Sequence, residues 1–370
     1  MAIEGRTSVL VQRNFASSWI SVCKGDYERN MKKQVFVVLV FGVAWLGLQA
    51  PLVRADAVSG TIFFTTFSGG ENVWTDTFNY NGTTFTLGSA TNIASTSGAD
   101  GLLFLPDGNL AVAGQGNNLT EVTTGGTIVK TVAPGGPSFH LALTSSSPTA
   151  LLYNMWNGGG NTPISAVTLS GGGLLNNGVA YTVTCPTGCS TDVRGVIFDP
   201  KTSTWYYGTA GDGGSGNFGI VTFNDVAHTA TLGAPILTGV FAHGLTFDPF
   251  TNDIIFSSAG TISQFDPTSN TIVSNLAGTG NFDQSAVDGK GHLFVASNSG
   301  FLEFVDYDAT GKIGAAGNFT AEPFLEGSLD DIAPLSGSGA PPPVPEPSTW
   351  VMLTTGLLGL GRVVRSKMRF

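Results

Sequence analysis

Six titratable side chains recur at a near-regular interval along the middle of the chain. Each stands just ahead of a short run with strand character, and the intervals between them are 40, 54, 49, 40 and 47 residues. The six are Asp100, His140, Arg194, His243, Asp283 and Asp330. Carboxylates and imidazoles bind divalent metals and also act as general acids and bases. If the fold gathers these positions, the pattern predicts a site that binds a metal or an anionic sugar, or that supplies an acid and a base.

The same six positions also allow a purely structural interpretation. Polar side chains at strand starts hydrogen-bond the exposed backbone at the rim of a fold, and they pair with one another. Because both roles use the same residue types, the sequence leaves the two interpretations open.

The interval itself predicts an architecture, because a period of 40 to 50 residues is that of a β-propeller blade. Each unit begins with a strand that ends in a turn rich in Asp, Pro and Gly, such as Phe198-Asp199-Pro200 or Phe247-Asp248-Pro249. A second apolar strand and two strands of alternating polarity follow. No long segment has helical periodicity, so the predicted class is all-β.

The two ends of the repeat predict how the ring closes. The first unit has three predicted strands and lacks a first strand: Gly60–Phe67, Asn72–Asn79 and Thr84–Ile93. The last unit, Leu329–Leu335, is a first strand with nothing after it. Together they make one blade, so we predict six blades closed by pairing the N- and C-terminal strands, which leaves no open sheet edge at the seam. Seven blades would need another unit between residues 141 and 195.

This pattern resembles the six-bladed propellers of the NHL, gluconolactonase and virginiamycin B lyase type. The resemblance covers the whole body and rests on short, common elements, so it implies an architecture. Several relatives of that group are hydrolases or lyases with a divalent metal at one mouth of the channel. No motif aligns residue by residue, so no functional residue is carried over. We therefore expect no cofactor, or else calcium or another divalent metal.

The charge of the body restricts its partners. Between Val58 and Ala340 there are five Lys or Arg and 21 Asp or Glu, a formal net charge of −16. Phosphate binding needs clustered cations, so nucleic acid is excluded as a partner. Calcium, cationic surfaces and neutral sugars remain compatible with this charge.

An export signal is predicted near the N-terminus. Met31-Lys32-Lys33-Gln34 is a positive n-region, Val35–Leu48 is an apolar h-region, and Ala55-Asp56-Ala57 has the small residues that signal peptidase requires. We expect translation to start at Met31 and cleavage to follow Ala57, so residues 1–57 are excluded from the fold.

The C-terminus has three parts in order. The short element Pro345-Glu346-Pro347 precedes the apolar segment Val351–Gly361. A basic end follows, with Arg362, Arg365, Lys367 and Arg369. This order resembles the PEP-CTERM sorting signal of Gram-negative bacteria. The resemblance implies recognition by an exosortase and export across the inner membrane to the cell surface or extracellular matrix.

The physical properties of the tail agree with that resemblance. An apolar segment stops translocation, and cationic residues stay on the cytoplasmic side. Trp350–Gly361 has only 12 uncharged residues, whereas a span takes about 20. This short transmembrane segment predicts a transient anchor, cleaved near Pro345–Pro347, rather than a permanent membrane helix.

The cysteines of the chain predict one disulfide bond that closes a small loop. Cys23 precedes the expected start, and Cys185 and Cys189 remain as a pair that closes a short disulfide loop in an oxidising compartment. The alternative, a redox-active or metal-binding pair, lacks a third or fourth ligand nearby.

Several other residues could act as ligands. Gly211–Asn217 has the composition of a calcium loop, although such repeats work in stacked arrays and this one occurs once. We expect His228 and His292 to be ordinary surface residues, or core residues whose hydrogen bonds are satisfied. Five aromatic residues could stack on sugars or pack between blades: Tyr153, Trp156, Trp205, Tyr206 and Tyr207.

The predicted organisation is therefore a leader (1–57), a propeller (58–336), a Gly/Ser/Pro linker (337–343) and a sorting signal (344–370). The favoured function is a non-enzymatic binding or scaffold module in the envelope or extracellular polysaccharide matrix. The alternative is a metal-dependent lactonase or lyase that acts at the channel mouth.

Overall fold

The computed structural model describes residues 57–66, 70–114, 118–134, 138–143, 150–154, 162–186, 190–209, 216–314, 319–323 and 328–334. The chain divides into Met1–Val53 and Arg54–Phe370, and every described residue lies in the second unit. Within the described ranges all regular structure is β, which confirms the predicted class. Those ranges hold no helix of the length and apolarity needed to cross a bilayer. The predicted leader, apart from its last residue, Ala57, lies outside them, as do the linker and the sorting signal.

The structure describes 23 strands, most of them short, as the turn-rich sequence predicts. The first twelve are β1 (Val58–Thr66), β2 (Gly70–Tyr80), β3 (Phe85–Leu87), β4 (Thr91–Thr96), β5 (Leu102–Phe104), β6 (Leu110–Ala113), β7 (Leu119–Val122), β8 (Ile128–Val132), β9 (Leu141–Leu143), β10 (Ala150–Asn154), β11 (Ile164–Ser170) and β12 (Gly173–Thr184). The others are β13 (Val193–Asp199), β14 (Thr204–Thr209), β15 (Asn217–Asn224), β16 (Thr229–Thr238), β17 (Gly244–Asp248), β18 (Asp253–Asp266), β19 (Thr271–Val287), β20 (His292–Ser297), β21 (Phe301–Asp306), β22 (Phe319–Pro323) and β23 (Leu329–Pro334).

Consecutive antiparallel strands form the blades. Blade 1 is β5–β8, blade 2 is β9–β12 and blade 3 is β13–β16. The outer strands β12 and β16 also pair in parallel, which joins blades 2 and 3 at their edges. Between residues 141 and 195 the described strands make a single four-stranded unit, so the seven-bladed alternative finds no further blade there among the described residues.

Two long strands, β18 and β19, each pair with two different strands along different parts of their length. Residues 253–257 of β18 pair with β17, and residues 259–266 pair with β19. The side chain of Gln264 reaches that of Asp253 at 2.7 Å, so the two halves of β18 lie side by side. Residues 282–287 of β19 turn away and pair with β20. Blade 4 is therefore β17, both halves of β18 and the start of β19, and blade 5 is the end of β19 with β20–β22.

The closing blade joins the two ends of the repeat. β23 pairs with β1, and β1 pairs with β2, so that Phe64 lies opposite both Ile332 and Trp74. The predicted third strand, Thr84–Ile93, is split, because β3 pairs with one end of β2 and β4 with the other. Gly88 lies at the break, where its backbone N–H donates to the carbonyl of Thr77 at 2.9 Å.

Six apolar clusters lie between neighbouring blades and show that the ring is closed. In cyclic order they join the closing blade to blade 1, blade 1 to 2, 2 to 3, 3 to 4, 4 to 5, and blade 5 back to the closing blade. Each blade therefore buries both faces against its neighbours. The predicted six-bladed propeller, sealed by the terminal strands, is confirmed.

The turns after the first strands use the aspartates that the sequence indicated. In four blades the carboxylate accepts the backbone N–H two residues later, at 2.8–3.0 Å. The four aspartates are Asp107, Asp199, Asp248 and Asp288. This contact reverses the chain locally, so the turn does not depend on the rest of the fold.

Truncation of Phe64 tests the closing blade. The side chain is fully buried in the cluster shared with blade 5, so Phe64→Ala should lower the free energy of unfolding by about 3–5 kcal/mol, because it removes apolar contacts and leaves a cavity. Urea unfolding measures the change. The control is Val226→Ala, at a residue 95% exposed, which should change stability by less than about 0.5 kcal/mol. Equal effects would contradict the packing described.

A buried carboxyl in β21 predicts a pH dependence of stability. Glu303 is 0% exposed, and neither carboxylate oxygen has a hydrogen-bond partner among the residues that the structure describes. Burial raises the pKa of Glu303 from 4.5 to about 7 in the folded protein. The contribution of this carboxyl group to the free energy of unfolding is therefore fully present below the pKa of the unfolded state. It is lost as the pH rises through the pKa of the folded state. Glu303→Gln should therefore unfold at a higher temperature than the wild type at pH 8, with the difference shrinking toward pH 4.5.

Asp308→Asn is the control for this experiment. Hydrogen bonds, chiefly from Thr310 and Lys312, outweigh desolvation by burial and lower the pKa of Asp308, so its charge stays constant between about pH 5 and 8. The unfolding temperature of Asp308→Asn should therefore change with pH in the same way as that of the wild type over that range. A Glu303→Gln profile parallel to that of the wild type would refute the assignment.

Candidate functional site

The six predicted rim residues lie at the starts of the first strands of the six blades. Asp100, His140 and His243 precede β5, β9 and β17, while Arg194, Asp283 and Asp330 lie within β13, β19 and β23. Because first strands line the channel of a propeller, these positions meet around one opening.

Four of the six form a compact group, which we call the rim cluster: His140, His243, Asp283 and Asp330. Nδ1 of His243 lies 3.3 Å from Oδ1 of Asp283, and Nε2 of His140 lies 3.6 Å from the same oxygen. The two imidazole rings meet edge to face, with centroids 4.7 Å apart. One ligand atom from each histidine and from Asp283 lie within 4.8 Å of one another.

The two carboxyl groups of the rim cluster share a hydrogen bond, which requires a proton between them. Burial alone would raise the pKa of Asp283, but His243, the hydrogen bond from Asp330 and His140 together lower it. Burial, and then the charges of Asp100 and Asp283, raise the pKa of Asp330 far above its ordinary value. Asp283 is therefore the carboxylate of the pair, and Asp330 is the acid.

His140 is neutral at physiological pH. Burial, and then the neighbouring His243, lower its pKa to about 3, against the opposing pull of Asp283. The contact between His140 and Asp283 therefore joins a neutral ring to a carboxylate and is not an ion pair.

The rim cluster has buried polar atoms with unmet hydrogen bonding. Both ring nitrogens of His140, Oδ1 of Asp283 and Oδ2 of Asp330 have no hydrogen-bond partner among the described residues. His140 and Asp283 are 5% and 4% exposed. Since buried polar groups are nearly always satisfied in folded proteins, these atoms require a partner beyond the described protein groups, which is an ordered water or a bound ligand.

The other two predicted residues flank the rim cluster. Arg194 donates to the carboxylate of Asp192 at 3.1 Å, and its charge reaches His140. The backbone of Asp100 is fixed on both sides, because its N–H donates to Ala113 and its carbonyl accepts from Thr65. The structure therefore brings four of the predicted residues into contact and holds these two at the margin.

Sequence reasoning missed two residues of this region. Asp331 accepts the backbone N–H of Leu102 at 2.6 Å, which links the closing blade to blade 1. Asn298 donates to Oδ2 of Asp283 at 3.1 Å. The adjacent pair Asp330-Asp331 could have drawn attention to Asp331, whereas nothing in the sequence distinguishes Asn298.

Glycine follows the rim residue in several blades because the first strands approach too closely for a side chain. A Cβ on Gly101 would lie 2.1 Å from the carbonyl oxygen of Phe139, beside His140. A Cβ on Gly244 would lie 2.4 Å from the carbonyl oxygen of Asp283. The glycines thus let rim residues of neighbouring blades meet.

The weaker candidates have structural roles where they are described. His292 is buried and its Nδ1 lies 2.6 Å from Asp288, while His228 is on an exposed turn. Tyr206 stacks on Phe218 with centroids 5.4 Å apart. Two further aromatic candidates also pack internally. Trp205 lies against Phe198 and Phe223, and Tyr207 is fully buried.

Other candidates lie wholly or partly outside the description. Cys185 is disulfide-bonded, but its predicted partner Cys189 is outside the described residues. The side-chain surroundings of Tyr153 are not described, and Trp156, residues 211–215 and the sorting-signal residues Pro345, Glu346, Pro347, Arg362, Arg365, Lys367 and Arg369 fall outside the described ranges.

A family comparison identifies the C-terminal segment. Residues 343–366 match the PEP-CTERM protein-sorting motif. The predicted sorting signal is therefore confirmed, and it indicates export and membrane-associated sorting with exosortase processing.

Solved structures with a similar fold have varied functions. The periplasmic gluconolactonase of Pseudomonas aeruginosa has a TM-score of 0.48 at 14% identity, over 73% of this chain and 84% of that one. TolB of Acinetobacter baumannii has a TM-score of 0.48 at 15% identity, over 75% and 66%. Hydrazine synthase of Kuenenia stuttgartiensis has 0.40 at 14%, over 62% and 68%. At these sequence identities and TM-scores, the similarity says nothing about the activity of this chain. A search of curated proteins found no match.

Gly244→Ala tests the close approach at the rim. The added methyl group would meet the backbone of Asp283 and should lower the free energy of unfolding by about 1–3 kcal/mol, measured by urea unfolding. Gly125→Ala is the matched control, because the nearest atom to a Cβ there is the Thr123 hydroxyl at 3.8 Å. A rim variant as stable as the control would contradict this geometry.

Proposed function

We propose that the protein is an exported, surface-sorted binding module without enzymatic activity, which serves in the cell envelope or the extracellular polysaccharide matrix. Its ligand binds at the rim cluster. The observation that carries the proposal is the set of buried polar atoms in His140, Asp283 and Asp330 that find no hydrogen-bond partner within the described ranges.

The sorting motif supports the location. A protein processed by an exosortase is delivered outward, and the matched segment includes Arg362 and Arg365, two of the four basic residues predicted to stay on the cytoplasmic side. The apolar segment of 12 residues is short for a lasting anchor. We therefore propose that the propeller is held at the membrane only until cleavage near Pro345–Pro347.

Energetics support a binding role for the rim cluster. A buried polar group without a partner costs about 1–3 kcal/mol, so a ligand that supplies donors and acceptors regains part of that cost. Sugar hydroxyls do both at once. A neutral glycan suits a body of net charge −16, because that charge repels an anionic one.

A metal-dependent lactonase or lyase is the second candidate. One observation favours it: a carboxylic acid, Asp330, and a carboxylate, Asp283, lie in hydrogen-bond contact beside two imidazoles. Such a group can give a proton to one atom of a substrate and take one from another.

The sorting proposal is tested by replacing Pro345 and Pro347 together with alanine. We expect the uncleaved chain to accumulate in the membrane fraction, because the exosortase recognition element is lost. Intact mass and fractionation of the full chain in its host measure the outcome. Pro341→Ala with Pro342→Ala, in the linker, should be processed normally. Normal processing of the first variant would contradict the proposal.

The binding proposal is tested on the host's own extracellular polysaccharide, immobilised on a sensor surface. His243→Gln should weaken binding by roughly 10-fold, the effect of about 1.4 kcal/mol, while His228→Gln, on an exposed turn, should bind as the wild type does. Equal binding by both variants would remove the rim cluster as the ligand site.

Asp330→Asn separates the two candidate functions. The amide can still donate a hydrogen bond to Asp283 but has no acidic proton to transfer. Under the binding proposal polysaccharide affinity is retained, and no turnover of lactones or glycans is seen in the wild type. Turnover by the wild type that disappears in Asp330→Asn would establish the enzyme instead.

A further inference from the structure

We propose that His140, His243 and Asp283 form a Zn²⁺ site at the mouth of the channel. The ligand atoms are Nε2 of His140, Nδ1 of His243 and Oδ1 of Asp283. The proposal deepens the proposed function, on which it rests for the position of the ligand site.

The two distances from Oδ1 of Asp283 to the histidine nitrogens are close to those of a zinc centre. With bonds of roughly 2.0–2.1 Å, two ligand atoms of a tetrahedral zinc lie about 3.3 Å apart. The distances from Oδ1 of Asp283 to the two histidine nitrogens are 3.3 and 3.6 Å. All three ligand atoms lie within 4.8 Å of one another, so the two histidine nitrogens must move closer together to complete a tetrahedral site.

The unmet hydrogen bonding of the site independently indicates a ligand. Oδ1 of Asp283 and both nitrogens of His140 are buried without hydrogen-bond partners in the described part of the chain. A metal ion would satisfy the carboxylate oxygen and one nitrogen of His140 simultaneously. An ordinary structural contact would instead have paired these atoms with hydrogen-bond donors and acceptors.

Neighbouring groups orient the carboxylate as they do in metal sites. Asn298 donates to Oδ2 of Asp283 at 3.1 Å, and Asp330 also hydrogen-bonds the carboxylate. These contacts hold Oδ1 toward the two histidines. Hydrogen bonds to the far oxygen of a ligating carboxylate are a regular feature of such sites.

Ligand chemistry selects the metal. Calcium prefers six to eight oxygen ligands, and two imidazoles make a poor calcium site. Two nitrogens and one carboxylate oxygen suit Zn²⁺, with a fourth position left for water or a ligand oxygen. The side chain of His243 is 22% exposed, so the site is reachable from solvent. A sugar hydroxyl could then bind the ion directly.

Zinc binding is measured on the full chain purified in detergent and stripped of metal. Calorimetric titration with zinc chloride should show one ion per chain, and saturating zinc should raise the unfolding temperature by roughly 5–10 °C. Cobalt should give the intense visible bands of tetrahedral coordination. His243→Gln and Asp283→Asn should each weaken zinc binding at least 100-fold, while His228→Gln should not change it.

Folding defects are separated from ligand loss by Asn298→Ala, which leaves all three ligands in place. It should weaken zinc binding by about 10-fold, as loss of a supporting hydrogen bond does. Absence of stoichiometric zinc binding, or zinc binding unaffected by both His243→Gln and Asp283→Asn, would overturn the proposal.

The two proposals can fail separately. If the chain binds polysaccharide in the presence of a chelator and binds no zinc, the metal site is refuted and the binding function stands. If it binds zinc at these residues and polysaccharide not at all, the metal site stands and the proposed function is refuted.

Discussion

The structure depends on apolar contacts between blades, and these are complete only when the ring is closed. The strand that closes it, β23, serves both neighbours. Ile332 enters the cluster shared with blade 5, and the next residue, Ala333, enters the cluster shared with blade 1. In β1, Phe64 likewise enters the cluster shared with blade 5 and Phe63 the cluster shared with blade 1. This is because successive side chains of a strand point to opposite faces. One pair of strands thus completes two of the six clusters.

The candidate site depends on the same closure. Asp330 is part of β23, and it contacts Asp283 only because this last described strand returns to the ring beside blade 5. His140 and His243 come from blades 2 and 4, so residues far apart in sequence meet in one buried group. This group needs no further segment of the described chain to complete it.

Much of this could be predicted from the sequence, because propeller blades repeat. The interval of the rim residues gave the blade count, and the aspartate turns are local enough to be read directly. Contacts between blades could not be predicted. Asp331 bonds Leu102 across 229 positions of the sequence, and within blade 5 Asn298 bonds Asp283 although nothing in the sequence distinguishes Asn298. The split of the predicted strand Thr84–Ile93 at Gly88 likewise follows from pairing with both ends of β2.

Hydrogen exchange of the backbone amides in β23 and β1 tests ring closure most directly. If the terminal strands complete the ring, their hydrogen-bonded amides open only with the whole fold and exchange as slowly as those of the buried strand β20. Exchange of β23 that is orders of magnitude faster than that of β20, in an otherwise protected protein, would show that the last strand frays independently. A closed ring would then no longer describe the molecule.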